Sequence, residues 1–550
     1  MTHEPIALAE LTAQGLPDLR FDASGELVRQ IAAAATFSPN RKLSLRQLAN
    51  IKATLYWLQD YQPLKQATHL DQVRGWLEAF HHLSQLAAWQ AAEDLLSMPV
   101  PASQPPKPDQ SGRSLPLHEQ LEVWGYYQEL TDLYAKLLGK RDDASDQVCC
   151  DRLGTMHRFR GRLPEATDYH QRSLQLAEQL DDSIAKARAL LGLADVNFRL
   201  DQFENGIIQA QTALTLARQQ HDRRLLADCL GCLSNGHSDD YFACYKPKLA
   251  LSYAQEGLQL AQQLDDAALQ CRLLNHMGGV YFSLGKASEA IAHHQQGLAL
   301  AEATDNLRYQ WANLHNLGLV HFQLLQDQKQ GEALFLASIQ IARQMQNLSC
   351  ETQTHLNQAF FNQQQGKSLT VQSNLQQILE LAQRSGDAYQ EWQSQRNLGV
   401  ILLRQKQFEQ ARLHWDRAEE LARSHHFRFA SLRAADTCNT SYLLSSLGDW
   451  RKGLRYGKQG LAIARRCNNK QEQSWAIMVI AYAYWQGNQR LWALLIFLRH
   501  LPQAAQLALR DESLRYTLLT GLQVITSPLL TAIQRLGRFL QLQPRNQEPR

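Results

Sequence analysis

A Leu-Ala or Ile-Ala pair recurs along this chain of 550 residues at intervals of about forty residues. Successive copies are separated by 40, 44, 40, 41, 40, 40, 42 and 44 residues. The alanines of the nine pairs are Ala177, Ala217, Ala261, Ala301, Ala342, Ala382, Ala422, Ala464 and Ala508. A period of this length is typical of folds that stack many copies of one small supersecondary unit.

Each period contains two apolar stripes with helical spacing, separated by a short loop. Glycine occupies the loop in several periods, where a helix has to stop; these glycines are Gly161, Gly285, Gly366, Gly448 and Gly487. The pattern predicts two antiparallel helices per unit. One such unit cannot bury its own apolar stripe, so neighbouring units have to stack.

The first helix of several units contains a bulky residue followed by glycine, as in Leu153-Gly154, Met277-Gly278, Leu317-Gly318 and Leu398-Gly399. A small residue follows in the second helix, at Ala166, Ala250, Ala290 and Ala411. These residues resemble the tetratricopeptide repeat, in a form about six residues longer than usual. The long form is similar to the repeats of kinesin light chains, spindle-orientation adaptors and bacterial proteins, cyanobacterial ones included. The resemblance implies an all-α, right-handed solenoid of about nine repeats.

The composition divides the chain into five segments. We expect a helical N-terminal region at 1–97, a Pro-rich linker at 98–116 and a leading helix within 117–146. The repeats are predicted to occupy 147–510, and a helical cap and tail to occupy 511–550. The linker prediction depends on six prolines in a stretch without helical periodicity.

Charge and cysteine usage limit the partners and the compartment. The net charge of +3, from 56 basic and 53 acidic residues, gives no reason to expect nucleic acid as a partner. Nine scattered cysteines favour a reducing compartment, and we expect a cytoplasmic protein. The uncharged stretch Tyr516–Gln534 has the length of a membrane span but contains Pro528 and several polar residues. It is interpreted as terminal helices, and peripheral association with a membrane stays open.

Sequence motifs for catalysis are missing, so we expect neither an enzyme nor a cofactor. The chain has no phosphate-binding glycine loop, no GxSxG and no HExxH motif. Cys229, Cys232, His237 and Cys244 have a spacing close to that of a zinc site. The alternative is that the cysteines fill the core of a first helix, where small apolar side chains are needed. We favour core packing and predict no metal.

Three His-His pairs occur at 81–82, 293–294 and 425–426. None of them forms a helical i, i+4 pair with a carboxylate that would indicate a metal site or a catalytic base. We therefore expect these histidines to lie at solvated helix positions.

Asparagine recurs with the repeat period at one position of the first helix. Asn316, Asn357, Asn397 and Asn439 are spaced by 41, 40 and 42 residues. An amide side chain both donates and accepts hydrogen bonds, so a column of them could bind the main chain of an extended peptide. The resemblance places this column in the concave groove and implies peptide contact. Earlier repeats carry other residues at this position: Arg152, Gly192 and His276.

Seven residues after the first three asparagines lie Gln323, Gln364 and Arg404, nearly two helical turns away. They extend the predicted polar strip, and Arg396 and Arg404 are expected to contact an acidic group of the ligand. The alternative for the asparagines is that they bridge neighbouring repeats and stabilise the stack.

The sequence thus predicts a non-catalytic scaffold or adaptor that binds a peptide segment or protein surface in its groove. One alternative is an assembly factor for a membrane complex, possibly a photosynthetic one. Another is a peptide-responsive regulator whose N-terminal region binds DNA. The partner expected from the sequence is a protein or peptide rather than a nucleic acid.

Overall fold

The computed structural model describes most of the chain and is helical throughout the described part, apart from turns and one isolated bridge. It describes residues 44–63, 67–100, 115–200, 202–238, 246–364, 377–384, 386, 388–424, 434–466, 470–496 and 499–500.

Five helices precede the repeats within this described part. They are α1 (Leu45–Gln59), α2 (His69–Gln85), α3 (Trp89–Ser97), α4 (Leu117–Val123) and α5 (Tyr127–Leu137).

The repeats are pairs of helices, most of them 17 residues long. Repeat 1 contains α6 (Asp143–Phe159) and α7 (Leu163–Gln179), repeat 2 α8 (Ser183–Arg199) and α9 (Phe203–Gln219), repeat 3 α10 (Arg223–Gly236) and α11 (Pro247–Gln263), repeat 4 α12 (Ala267–Ser283) and α13 (Ala287–Ala303), repeat 5 α14 (Leu307–Val320) and α15 (Gln328–Gln344), repeat 6 α16 (Leu348–Gln364) and residues 377–384, repeat 7 α17 (Ala388–Arg404) and α18 (Phe408–Ser424), repeat 8 α19 (Ala434–Ser446) and α20 (Trp450–Arg466), and repeat 9 α21 (Lys470–Gln486) and residues 490–496. The predicted all-α repeat solenoid is confirmed.

Two polar residues join one repeat to the next. The first adopts a left-handed conformation that ends the second helix, as Asp181 and Asp265 do with φ of 53° and 54°. The next residue caps the following helix. The Asp266 carboxylate accepts a hydrogen bond of 3.0 Å from the Leu269 N–H, and the Asn306 carbonyl oxygen one of 3.2 Å from the Tyr309 N–H. The recurring Asp-Asp and Asp-Asn endings therefore stop one helix and start the next.

A glycine in the first helix makes room for a ring from the second helix of the same repeat. A β-carbon at Gly278 would lie 2.5 Å from the His294 ring, and one at Gly399 would lie 2.6 Å from the Trp415 ring. Gly154 with His170 and Gly318 with Phe335 repeat this arrangement. His294 is fully buried as a result, so the expectation that this histidine is solvated is wrong.

The N-terminal helices and repeat 1 share one apolar core, which extends from Ile51 to Phe159. The ends of the proline-rich segment are paired, since the Val100 N–H donates to the Leu115 carbonyl at 2.9 Å. The leading segment contains two helices where the sequence predicted one. Gly125, with φ of +79°, separates them, because an α-helix does not continue through a left-handed residue.

Contacts divide the chain into two compact units. The first contains residues 1–239, 246–358 and 381–387, and the second contains 240–245, 359–380 and 388–550. The predicted C-terminal cap at 511–550 lies outside the described residues. None of the described helices combines the length and hydrophobicity of a membrane span.

Candidate functional site

Five arginines on the first helices of repeats 1, 3, 4 and 5 form what we call the arginine face. Repeats 1 to 5 lie within the first unit, and the described helices of each place these side chains next to acidic partners. The residues of the arginine face are Arg152, Arg158, Arg224, Arg272 and Arg308. Arginine is suited to such a surface because its guanidinium keeps its charge when partly buried and binds carboxylates with several N–H groups.

Two ion pairs of the arginine face link the first helices of neighbouring repeats. Arg158 of repeat 1 lies 3.5 Å from Asp195 of repeat 2. Arg272 of repeat 4 pairs with Asp228 of repeat 3 and also donates to the Asp228 carbonyl at 3.1 Å. These contacts fix the register of adjacent repeats and leave charged groups near the surface of the stack.

The two carboxyl groups have opposite pKa shifts. Burial raises the pKa of Asp228, and the nearby guanidinium groups of Arg272 and Arg224 offset this only in part. Burial also acts on Asp195, but Arg158 and Arg272 outweigh it and lower its pKa. The thiol of Cys232 adds a hydrogen bond of 3.3 Å to the Asp195 carboxylate. Asp195 is therefore the more firmly ionised of the two.

Two guanidinium groups lie against one aromatic ring. The guanidinium carbon of Arg158 lies 4.1 Å, and that of Arg308 3.7 Å, from the centre of the Phe159 ring. Tyr127 of α5 stacks on the same ring at 4.8 Å. Cation–π contacts of this kind hold arginine side chains in place without neutralising them.

Helix α4 lies against the arginine face and contributes its acidic residues. Glu119 lies 3.1 Å from Arg224 of repeat 3. Glu122 lies 3.6 Å from Arg152 of repeat 1 and 3.9 Å from Arg308 of repeat 5. One helix of seven residues thus forms ion pairs with three different repeats.

The residue that follows α4 extends this contact to the turn before repeat 5. The Trp124 indole N–H donates to the Asp305 carboxylate at 3.1 Å. His69 of α2 stacks on Trp124 with 4.5 Å between ring centres, and its Nε2 lies 2.9 Å from the same carboxylate. Gly125 packs so closely on Met345 that a β-carbon would lie 2.7 Å from the sulfur.

The predicted asparagine column is divided between the two units. Asn316 and Asn357 belong to the first unit, and Asn397 and Asn439 to the second. All but Asn357 are half-buried and form no hydrogen bond through their amides with other described residues. The Asn357 amide donates to Nε2 of His315 in the neighbouring repeat at 3.1 Å. Its contact is thus one between repeats, and peptide binding by the column stays a prediction.

The residues predicted to extend the strip lie in different surroundings. Gln323 is exposed within a wider π-helical turn, His321–Leu325, which changes the angular spacing assumed for an α-helix. The guanidinium of Arg396 lies 5.3 Å from the centre of the Trp392 ring. Gln364 and Arg404 end α16 and α17, and their side chains are outside the described part.

One asparagine that the sequence did not single out is buried between repeats 4 and 5. The Asn313 side-chain oxygen accepts from the Asn275 amide and from Nδ1 of His294, each at 3.1 Å. Its amide donates to the Tyr309 carbonyl at 2.8 Å. Asn313 does not recur with the repeat period, so only its place in the fold reveals it.

The candidate zinc ligands are buried rather than grouped. Cys229 and Cys232 are almost completely buried, and burial raises the pKa of both thiols, which keeps them protonated. His237 is also buried, and Cys244 lies outside the described residues. Among the residues that the structure describes, no three His, Cys, Asp or Glu side chains are placed to hold a metal ion.

Comparison with known families gives a match at the start of the array. Residues 148–219, which lie in repeats 1 and 2, match the tetratricopeptide repeat model. The chain contains tetratricopeptide repeats. A search of the curated proteins gives no match to this array.

Solved structures with the same helical-repeat fold are distant in sequence. A Rap protein complexed with Competence and Sporulation Factor is 16% identical, with a TM-score of 0.44, and the match covers 73% of this chain and 97% of that one. Aspartyl phosphate phosphatase F from Bacillus subtilis is 13% identical, with a TM-score of 0.38 and coverage of 74% and 96%. The APC/C hetero-tetramer Cut9-Hcn1 gives 16%, 0.43, and coverage of 87% and 88%.

Proposed function

We propose that this tetratricopeptide repeat protein is a non-catalytic scaffold that binds an acidic segment of a partner protein on its arginine face. The observation that carries the proposal is the position of α4. Its two carboxylates already form ion pairs with arginines of three repeats. A partner segment with the same pattern of charge would find matching guanidinium groups there.

The spacing of the two carboxylates defines the proposed ligand. Glu119 and Glu122 are three residues apart in a helix, so their side chains lie on neighbouring positions of one side. They bind arginines from different repeats, which makes recognition depend on the stacking of the array. The ligand is therefore a helical segment with the pattern Glu-x-x-Glu.

The contribution of each ion pair follows from its exposure. The Arg224 side chain is 57% exposed, whereas those of Arg308 and Glu122 are 25% and 26% exposed. Exposed pairs contribute between zero and about 1 kcal/mol, and partial burial favours the upper part of this range. Affinity should therefore be modest, depend on several contacts together, and fall as the salt concentration rises.

The test uses a fluorescent peptide with the sequence of residues 115–127, LPLHEQLEVWGYY, and the full chain with Glu119→Gln and Glu122→Gln. In this chain the internal carboxylates no longer neutralise the arginines. We expect the peptide to bind, and Arg224→Ala with Arg308→Ala to weaken binding about tenfold.

A matched control removes the same charge elsewhere. Arg412 and Arg423 are exposed and pair only with acids of their own helix, so Arg412→Ala with Arg423→Ala should leave the affinity unchanged. Equal weakening by both pairs of substitutions would show a general effect of charge. Absence of binding to every variant would refute the proposed function.

The asparagine column is proposed as a second, uncharged contact for the main chain of a bound segment. Asn397 and Asn439 support it, because both are half-buried and their amides form no hydrogen bond with described residues. Substitution of both by alanine should weaken binding of a partner without lowering the stability of the array. Unchanged affinity would leave the arginine face as the only contact.

A further inference from the structure

We propose that α4 is a built-in competitor for the arginine face, so that an acidic partner segment binds by displacing α4 from repeats 3 and 5. This inference rests on the proposed function and adds its regulation. Helix α4 belongs to the N-terminal helices but contacts residues far along the chain. Glu119 and Arg224 are separated by 105 residues, and Trp124 and Asp305 by 181.

The contacts of this segment with repeat 1 are mainly apolar. Tyr127 stacks on Phe159, and both rings are part of the core shared by the N-terminal helices and α6. Leu117 and Leu121 of α4 are completely buried in that core. Apolar burial over so many residues holds the N-terminal helices on repeat 1 whether or not other contacts form.

The contacts of the same segment with repeats 3 and 5 are mainly polar. They comprise the Glu119–Arg224 and Glu122–Arg308 ion pairs and the bond from Trp124 to Asp305. The Asp305 side chain is 54% exposed, so water and salt reach this end of the contact. Such contacts can be exchanged for those of another acidic group, whereas the apolar contact with repeat 1 persists.

The geometry gives the partner its chemistry. Each position of the internal segment has a function that a partner has to reproduce: a carboxylate for Arg224, a second carboxylate for Arg152 and Arg308, and an indole or phenol for Asp305. The partner segment is therefore acidic, helical and followed by an aromatic hydrogen-bond donor. Glu119 to Trp124 provides the template, with the aromatic residue two positions after the second acid.

The experiment compares the affinity of the labelled 115–127 peptide for two full-length chains, wild type and Glu119→Gln/Glu122→Gln. If α4 competes, weakening its ion pairs raises the affinity of the added peptide about tenfold. A matched control, Glu419→Gln/Glu420→Gln, removes the same charge from an exposed part of α18 and should bind like wild type.

A second readout follows α4 directly. Hydrogen exchange at the backbone amides of residues 117–124 should accelerate when the unlabelled peptide is added to wild type, because displaced amides lose their protection. Equal peptide affinity of wild type and the glutamine variant would overturn the competition while leaving the proposed function intact. Unchanged exchange at saturating peptide would also overturn it. Failure of the peptide to bind either chain refutes the proposed function itself.

Discussion

The first helices of repeats 1 to 5 and those of repeats 7 to 9 have the same frame but different polar contacts. In repeats 1 to 5 arginine–carboxylate pairs connect one first helix to the next, as between Arg158 and Asp195. In the described part of repeats 7 to 9 uncharged groups take this place. Ser446 bonds to the Tyr482 hydroxyl of the next repeat at 3.2 Å, and Ser441 donates to the Gly453 carbonyl at 2.7 Å.

The difference separates what builds the repeat from what distinguishes its surface. Gly278 with His294 and Gly399 with Trp415 show that a glycine facing a ring serves both regions. The groups around this frame vary, so one region presents charge and the other presents amides and hydroxyls. Binding that depends on salt is expected from the first region, and binding that does not from the second.

The largest expected effect tests the shared frame. Gly278→Ala and Gly399→Ala would each place a methyl group against a buried ring, and we expect either to lower the free energy of unfolding by about 3 kcal/mol. Urea unfolding of the full chain measures this. Gly279→Ala is the matched control, because its β-carbon would meet nothing within 4 Å. Similar losses for Gly278→Ala and Gly279→Ala would contradict the account.

The next effect distinguishes a buried amide from a half-buried one. Asn313→Ala should lower the free energy of unfolding by about 2 kcal/mol, since it leaves His294 and Asn275 without their partner. Asn397→Ala, which removes no hydrogen bond between described residues, should change it by less than about 0.5 kcal/mol. Urea unfolding of both variants is the measurement. A large loss for Asn397→Ala would show that the column stabilises the stack.

The pH dependence offers a smaller effect that is local to the ring position. Burial lowers the pKa of His294 to about 4. The unfolded chain takes up this proton near pH 6.5 and the folded chain only near pH 4, so stability is lost as the pH falls between these values. The loss amounts to about 1.4 kcal/mol per pH unit for this histidine.

Hydrogen exchange in α13 at pH 7 and pH 5 measures the effect. His294→Phe should reduce the acid dependence, because repeat 5 already accommodates phenylalanine at the equivalent position, Phe335. Other buried histidines, such as His315, keep their own dependence. An acid dependence in α13 that is the same in His294→Phe as in wild type would rule out His294 as its source.

Much of the frame was predictable from the sequence. The forty-residue period, the loop glycines and the Asp-Asp endings predicted the helix pairs, their turns and their caps, because these depend on residues close in sequence. The burial of His294 was also accessible, since Gly154 to His170 and Gly278 to His294 have the same spacing of 16 residues.

The candidate site was not predictable in the same way. A prediction that follows the repeat period favours positions that recur, such as Asn316 and Asn357. The arginine face has no period, and its contact with α4 joins Trp124 to Asp305 across 181 residues. Only the fold brings such residues together, and only the fold separates Gln323 from Asn316 by a π-helical turn.

The most direct test of the central claim, that the arginine face recognises negative charge, is the salt dependence of peptide binding. The 115–127 peptide and its glutamine form at 119 and 122 are titrated into the Glu119→Gln/Glu122→Gln chain at about 50 and about 500 mM salt. The account predicts that the acidic peptide binds more tightly at low salt and loses about tenfold in affinity at high salt, whereas the glutamine peptide changes little. Equal affinities for the two peptides, independent of salt, would contradict it.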